Sequence, residues 1–266
     1  MPLIALLTDF GVKDEYVGVL KGVVLSVNPQ ASIVDLTHGI DPQDVRQAAG
    51  LLKSAYAYFP IGTIHVAIVD PGVGSERAIL AARYGGHIFL APDNGLISQL
   101  WGKGRPEELV RVDNPTLWRQ PVSPTFHGRD IFAPVAAHLS LGMELAQLGS
   151  PLAWDQIAML PEMDDATRDG VLITGRVIAV DHFGNLVTDI DAAQVASFDP
   201  RSLTITVGDH RIRGLSAHYA KGQSGGIMAL IGSRQTVEIA VNGGRAAARL
   251  NATKGAVVCI TLYKED

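Results

Sequence analysis

Ile64-His65-Val66-Ala67-Ile68-Val69 is a short run, apolar but for His65, and Asp70-Pro71-Gly72-Val73-Gly74-Ser75-Glu76-Arg77 follows it at once. An apolar run of that length stopped by a Pro-Gly turn reads as a strand buried on both faces, with a polar loop at its carboxyl end. Two similar runs precede it, Leu3 to Leu7 and Ile33-Val34-Asp35-Leu36. Helical patterns separate the three. Tyr16, Val17, Leu20, Val24 and Val27 recur at helical spacing until Asn28-Pro29 stops them. Asp41-Pro42 reads as a cap and an N1 proline ahead of a stripe of Val45, Ala48, Ala49, Leu52 and Tyr56. Strand–helix–strand–helix–strand order predicts an α/β fold whose largely parallel sheet is flanked by helices.

Working outward, Ile79 to Ala82 and His87 to Ala91 flank Tyr84-Gly85-Gly86 as a hairpin, and Ile131 to Leu141 reads as helical despite Pro134. Beyond about residue 170 the texture changes. Val171-Leu172-Ile173, Arg176 to Val180, Leu203 to Val207, Gly226 to Ile231, Val237 to Val241 and Ala256 to Leu262 are strand-like runs broken by Gly, Asp and Asn turns. They predict a smaller antiparallel β, barrel-like domain. The expected organisation is therefore an amino-terminal α/β domain over 1–160, a polar linker over 161–170 and a β domain over 171–266.

Bulk properties narrow the function classes. The 266 residues are 47% hydrophobic and 18% charged, an ordinary globular balance. A net charge of −5 without a Lys/Arg run argues against a nucleic-acid partner. No apolar stretch approaches a membrane span, the first residues read as a strand and not a leader, and a cytoplasmic protein is the expectation. The single cysteine, Cys259, reads as a small buried hydrophobe on a strand. With one cysteine and no zinc-protease histidine spacing, no structural metal is expected.

Functional groups of a parallel sheet gather at the carboxyl ends of its strands. Thr8-Asp9-Phe10-Gly11, Asp35-Leu36-Thr37-His38 and the Asp70 loop occupy such ends, and Pro92-Asp93-Asn94-Gly95 and Thr125-Phe126-His127-Gly128-Arg129-Asp130 follow. Several have two readings: Asp9 as a turn-former or a ligand, Asp93-Asn94-Gly95 as a turn, His38 and His65 as packed core histidines, Arg129-Asp130 as a local ion pair. Asp70 and Arg77 bracket a glycine-rich turn. Such a pair either orients and polarises a water or forms a purely structural salt bridge. The glycine turn lacks the Gly-Lys-Ser/Thr ending of a P-loop, and Asp9-Phe10-Gly11 lacks the spacing of a kinase motif.

These loops, together with Asp181-His182-Phe183-Gly184-Asn185 and in this order, resemble the S-adenosylmethionine hydroxide adenosyltransferases, relatives of fluorinating and chlorinating enzymes that use the same substrate. The resemblance runs along essentially the whole chain. It implies cleavage of S-adenosyl-L-methionine (SAM) to adenosine and methionine by water, without a cofactor, in a homotrimer whose sites lie at subunit interfaces. It implies that Asp70, Arg77 and His127 handle the attacking water, and that Asp9 takes the ribose hydroxyls. It assigns the methionine ammonium to Asp181, the carboxylate to Ser233 and Arg234, and adenine contacts to Asn185, Asn242 and Gly243. Phe126 is expected either against the substrate or in a hydrophobic structural role. The halogenating relatives carry tyrosine or other groups at the positions of Asp70 and His127. The fluorinating ones also have a long insertion where few residues here separate Gly74 from Arg77. Both departures favour water over halide. A protein that senses or sequesters SAM or adenosine without turnover is the alternative from another class, and a SAM-dependent halide transferase is the third reading.

Overall fold

The computed structural model describes residues 2–101, 104–161, 166–221 and 223–263. The chain divides into two compact units, Met1–Pro161 and Glu162–Asp266. Part of the expected linker, 162–165, lies outside the described residues, and Thr167–Asp169 at its end are strand rather than linker.

In the first unit β1 (Leu3–Thr8), α1 (Tyr16–Val27), β2 (Ser32–Thr37), α2 (Val45–Ala55) and β3 (Ile64–Ile68) alternate as the sequence predicts. β4 (Ile79–Tyr84), β5 (His87–Pro92), β6 (Glu108–Arg111) and α3 (Ala133–Ser140) complete the unit. The six strands lie in the order β2-β1-β3-β5-β4-β6. β1 pairs in parallel with β2 and β3, and β3 with β5, while β4 runs antiparallel between β5 and β6. Side-chain alternation explains the layering. Ile4 and Leu6 of β1 with Ile64, Val66 and Ile68 of β3 pack with Leu20, Val23 and Val24 of α1 and Val135 and Leu139 of α3. Leu7 and Ala67 face the other way, with Ala48 and Leu52 of α2 and Phe89 of β5. Both faces are covered, which is why the strands read as continuous apolar runs.

Three local expectations change. The N-cap of α2 is Asp44, whose side chain accepts from Gln47 N–H, and not Asp41. Gln43, at φ 66°, breaks the helical path, and Gln47 Oε1 accepts from Asp41 N–H to close the turn before the helix. The helix near Pro134 begins earlier than expected, as a wide π-turn over Gly128–Phe132 that leads into α3 with Pro134 in its first turn. The hairpin is as expected, with Gly85 and Gly86 both at positive φ between Tyr84 and His87.

The second unit contains β7 (Thr167–Asp169), β8 (Leu172–Val180), β9 (Leu186–Asp191), α4 (Ala192–Val195), β10 (Leu203–Val207), β11 (His210–Arg213), β12 (Leu215–Ser216), β13 (Ile227–Ile231), β14 (Thr236–Val241), α5 (Ala246–Leu250) and β15 (Val257–Leu262). The strand order β11-β10-β15-β8-β9-β14-β13-β12, with β7 on β8, makes a nearly closed, barrel-like sheet. Its pairs are antiparallel except for the short parallel pair β12–β13. The two runs expected around residues 171–180 are one strand. Gly175 is not a turn; a Cβ there would lie 2.3 Å from Asp189 Oδ1 and 2.5 Å from the Ile190 side chain. The glycine lets β9 cross closely where β8 passes from β15 to β9. Ile173, Val177, Ile205, Val237, Ile239, Val258 and Ile260 fill the interior. Cys259 falls between Val258 and Ile260 on the opposite face of β15 and is half-buried, a correction to the buried cysteine expected.

Candidate active site

Because β2 and β3 lie on opposite sides of β1, the chain reverses its direction of winding there, and the carboxyl ends of β1 and β3 flank the switch point. Asp9 follows β1, and Asp70 follows β3 after buried Val69. The Asp70 loop is a compact double turn: Val73 N–H donates to Asp70 O, and Ser75 N–H and Oγ both donate to Gly72 O. Asn94 Nδ2 donates to Val69 O at 2.8 Å and pins the start of the loop. Asp93 in turn accepts from Ala158 N–H, so the 92–95 turn is a brace for its neighbour.

Asp70 and Arg77 meet face to face. Arg77 Nε donates to Asp70 Oδ1 at 2.9 Å, and Arg77 Nη2 donates to Asp70 Oδ2. The side chains are only 6% and 11% exposed, so the pair is shielded from water. Arg77 Nη2 also contacts His127 Nδ1 at 2.9 Å. Arginine has no lone pair to give, so His127 Nδ1 accepts and the ring proton sits on Nε2. Burial first, and the Arg77 cation second, push the His127 pKa below its ordinary value, against weaker pulls from Asp70 and Asp130. The imidazole is therefore neutral at pH 7. The loop reading paired Asp70 with Arg77 and only the family resemblance added His127; the structure brings all three into one hydrogen-bonded row.

Gly74 makes the row possible. At φ 82°, its absent Cβ would lie 2.3 Å from Pro124 O, so only glycine lets the 124–127 segment rest on the Asp70 loop. Asp130, 1% exposed, holds that segment from the other side. It accepts from Ser123 N–H and from Arg129 Nε and Nη2, at 2.7–2.9 Å. Burial raises its pKa, but Arg129, Ser123 N–H and Arg119 outweigh burial and hold it below the usual carboxylate value. The local ion pair expected of Arg129-Asp130 is thus real, and it is a brace for His127.

Phe126 makes edge-on contacts with Phe10 at 6.0 Å and Tyr16 at 5.2 Å, and packs against the core as a partly buried side chain. Its structural reading has direct support. Asp9 Oδ2 accepts from Gln43 N–H at 2.8 Å, so its carboxylate is held before any ligand arrives. Sequence reasoning treated His38 only as core; it is buried and also accepts or donates at Thr8 Oγ1, 2.8 Å away, beside Asp9. A cavity of about 290 Å³ opens beside Arg77 and His127, lined also by Ser75, Asp113, Trp118 and Val122. Among the described residues no group of three or more His, Cys, Asp or Glu side chains is arranged to hold a metal ion.

In the second unit, Asp181 and Asn185 close the β8–β9 turn on each other. Asn185 N–H donates to Asp181 Oδ1 and its amide Nδ2 to Oδ2, both at 2.8 Å. Gly184, at φ 85°, packs this turn on Arg245, which donates to His182 O. Ser233 and Arg234 are exposed at the tip of the β13–β14 hairpin, closed by Gly232 N–H to Thr236 O. Asn242 exchanges backbone bonds with Gly225 and Gly226, and Gly243 adopts φ 73°. An open depression lined by Gly225, Gly244, Arg245 and Arg249 adjoins them. Sequence reasoning missed Glu238, 8% exposed on β14, which accepts from Tyr219 OH. Its signal was legible: Glu238 is the one charge within Thr236–Val241.

The row of Asp70, Arg77 and His127 at a switch point is matched by similarity over the whole chain. Residues 4–149 match the family model for the SAM hydroxide adenosyltransferase N-terminal domain, and residues 175–259 match the one for its C-terminal domain. The chain belongs to this family. It is 37% identical over 262 residues to the (R)-S-adenosyl-L-methionine hydrolase of Salinispora arenicola, covering 98% of each chain. It is 30% identical to a fluorinase of an Actinoplanes species, over 71% of this chain and 72% of that one. Among solved structures, an uncharacterised conserved protein from Thermotoga maritima matches with a TM-score of 0.90 and 33% identity, over 97% of this chain and 100% of that one. Family membership thus rests on both units, and the longer match is to a hydrolase. Among the described residues, no helix is long and apolar enough to cross a membrane.

Proposed function

We propose that the chain hydrolyses S-adenosyl-L-methionine to adenosine and L-methionine, a water-derived oxygen attacking ribose C5′ as methionine departs. The observation that carries this reading is the buried row Asp70–Arg77–His127 within a chain similar end to end to SAM hydrolases. The sulfonium is a good leaving group, since methionine leaves neutral at sulfur, so the enzyme's task is the nucleophile. Asp70 positions Arg77 with both oxygens and, as the row's one anion with lone pairs to spare, takes the proton that water gives up as the O–C5′ bond forms and the C5′–S bond breaks. Arg77 and the Nε2–H of neutral His127 are fixed donors that stabilise hydroxide character on the attacking oxygen. Nothing in this scheme calls for a metal or cofactor.

Asp9 would take the ribose hydroxyls, Asp181 the ammonium, and Ser233 with Arg234 the carboxylate, with Asn185, Asn242 and Gly243 at adenine and Phe126 against the ligand. With it we propose the homotrimer that the family resemblance implies, each site shared between neighbours, working in the cytoplasm. Mixing Asp70→Ala with Asp181→Ala under exchange conditions tests it at SAM far below the raised KM of Asp181→Ala, where each protein alone turns over little: shared sites restore activity to about a quarter of wild type, since both intact halves must meet by chance.

One experiment decides the reaction. Purified protein is incubated with SAM in isotopically labelled water, with and without chloride. Label in the 5′-hydroxyl of adenosine is the expected result. A 5′-halogenated nucleoside would make it a halide transferase, and unconsumed bound SAM would make it a sensor.

A further inference from the structure

Glu238 is out of place on physical grounds. It sits on β14 between Val187 of β9 and Leu230 of β13, only 8% exposed, among apolar neighbours. A buried carboxylate is expensive unless a cation or several donors accompany it. Among the described residues Glu238 makes no ion pair, and its hydrogen-bond donor is the neutral hydroxyl of Tyr219. The phenol stays neutral: burial, then the hydrogen bond to Glu238, then the charges of Glu238 and Asp181 push its pKa up to about 12. The Tyr219 residue itself is 45% exposed, so the ring is reachable while the hydroxyl is turned onto the acid.

Glu238 also links the elements of the amino-acid end. A Cβ on Gly232 would lie 2.6 Å from Glu238 Oε2, so the backbone that carries Ser233 and Arg234 rests directly on this carboxylate. Tyr219 feels the charges of Glu238 and Asp181 together. Two carboxylates, neither in an ion pair among the described residues, with a neutral phenol hydrogen-bonded to the buried one, make a site that favours a positive partner.

We propose that Glu238, acting with Tyr219, is a further specificity-determining residue: its buried carboxylate adds a second negative charge to the field of Asp181 and makes the site select a protonated α-amine. The inference rests on the hydrolase reading above. Glu238 acts on the ligand through the field and through Tyr219, so it is a positioning residue.

The test is Glu238→Gln, which keeps the shape and an acceptor for Tyr219 but removes the charge. The readout is the ratio of inhibition constants for methionine and for 4-(methylthio)butanoate, which lacks only the amine. The preference for methionine is expected to fall about tenfold in Glu238→Gln, with adenosine inhibition and melting temperature near wild type. A wild-type ratio in folded Glu238→Gln overturns the inference and leaves Glu238 structural. If that variant fails to fold, Tyr219→Phe carries the test, with a smaller loss of preference expected and an unchanged ratio overturning it. A wild-type protein that neither consumes SAM nor responds to methionine sinks the hydrolase reading and this inference together. An active wild type with the ratio intact in the variants sinks the inference alone.

Discussion

The Asp70–Arg77–His127 row and the Asp181/Ser233–Arg234 turns carry comparable polar groups in opposite settings. The first is shielded, and its side chains hold one another in place through hydrogen bonds. The second is built on turns, with Ser233 and Arg234 exposed at a hairpin tip. Preorganisation is most valuable where charge develops during reaction, because fixed donors need no reorganisation at that moment. In the proposed function the second region only recognises the amino-acid end, where the ordering of turns costs affinity and not chemistry. The contrast predicts that damage to the first region lowers turnover and damage to the second weakens binding.

The largest effect should follow Arg77→Ala. Loss of the central donor is expected to lower kcat by about a hundredfold or more while SAM affinity changes little. Parallel loss of affinity, measured by calorimetry, would break the distinction between the regions. Asp181→Ala should do the converse, raising KM by about tenfold to a hundredfold with kcat nearly kept, as removal of a charge-assisted contact implies. A kcat defect of the same size would place Asp181 in the reacting set.

Gly74→Ala probes why the first region is preassembled. The added methyl collides with Pro124 O in a left-handed backbone, so about 1–3 kcal/mol of stability should be lost, read in denaturant titrations. Activity should fall with it as His127 withdraws from Arg77. A fully stable, active Gly74→Ala protein would show that the two loops are not locked together.

The pH dependence is subtler. Protonating His127 removes the Nδ1 lone pair that receives Arg77, so activity should fall on the acid side. Since burial and Arg77 lower this pKa, the acid limb should lie below pH 6.5, and its persistence in His127→Asn would assign it elsewhere.

The smallest effect concerns stability alone. His65 stacks on Phe89 at 5.0 Å and contacts His87, and burial followed by the His87 charge lowers its pKa to about 3. Between pH 6.5 and 3 the unfolded chain binds a proton that the folded chain refuses. Stability is therefore full above that window and declines as pH falls through it. His65→Phe should flatten the decline in denaturant midpoints measured at pH 7 and pH 4.5. An unchanged slope would mean that another group sets acid sensitivity.

The legible parts of this protein are those governed by neighbours in the chain. The alternation of Ile4, Leu6 and Leu7, the stripe of α1 and the Gly85-Gly86 turn all follow from local geometry, so the sheet, its helices and the loops at its carboxyl edge were readable. β6, β9 and β11 were not: Glu108 and Arg111, Thr188-Asp189 and His210-Arg211 dilute their apolar patterns, and cross-strand pairing, not propensity, makes them strands. The cap of α2 moved to Asp44 because Gln43 takes a conformation that no local rule required. At the site, the sequence determined which groups would stand at the strand ends, since Asp9 and Asp70 simply follow β1 and β3. Only the tertiary structure decided that Asp70 spends both oxygens on Arg77, that Arg77 reaches His127 across fifty positions, and that Glu238 lies buried against Tyr219. Those contacts depend on close approach between distant segments, such as Gly74 against Pro124, and close approach is a property of packing that no window of sequence contains.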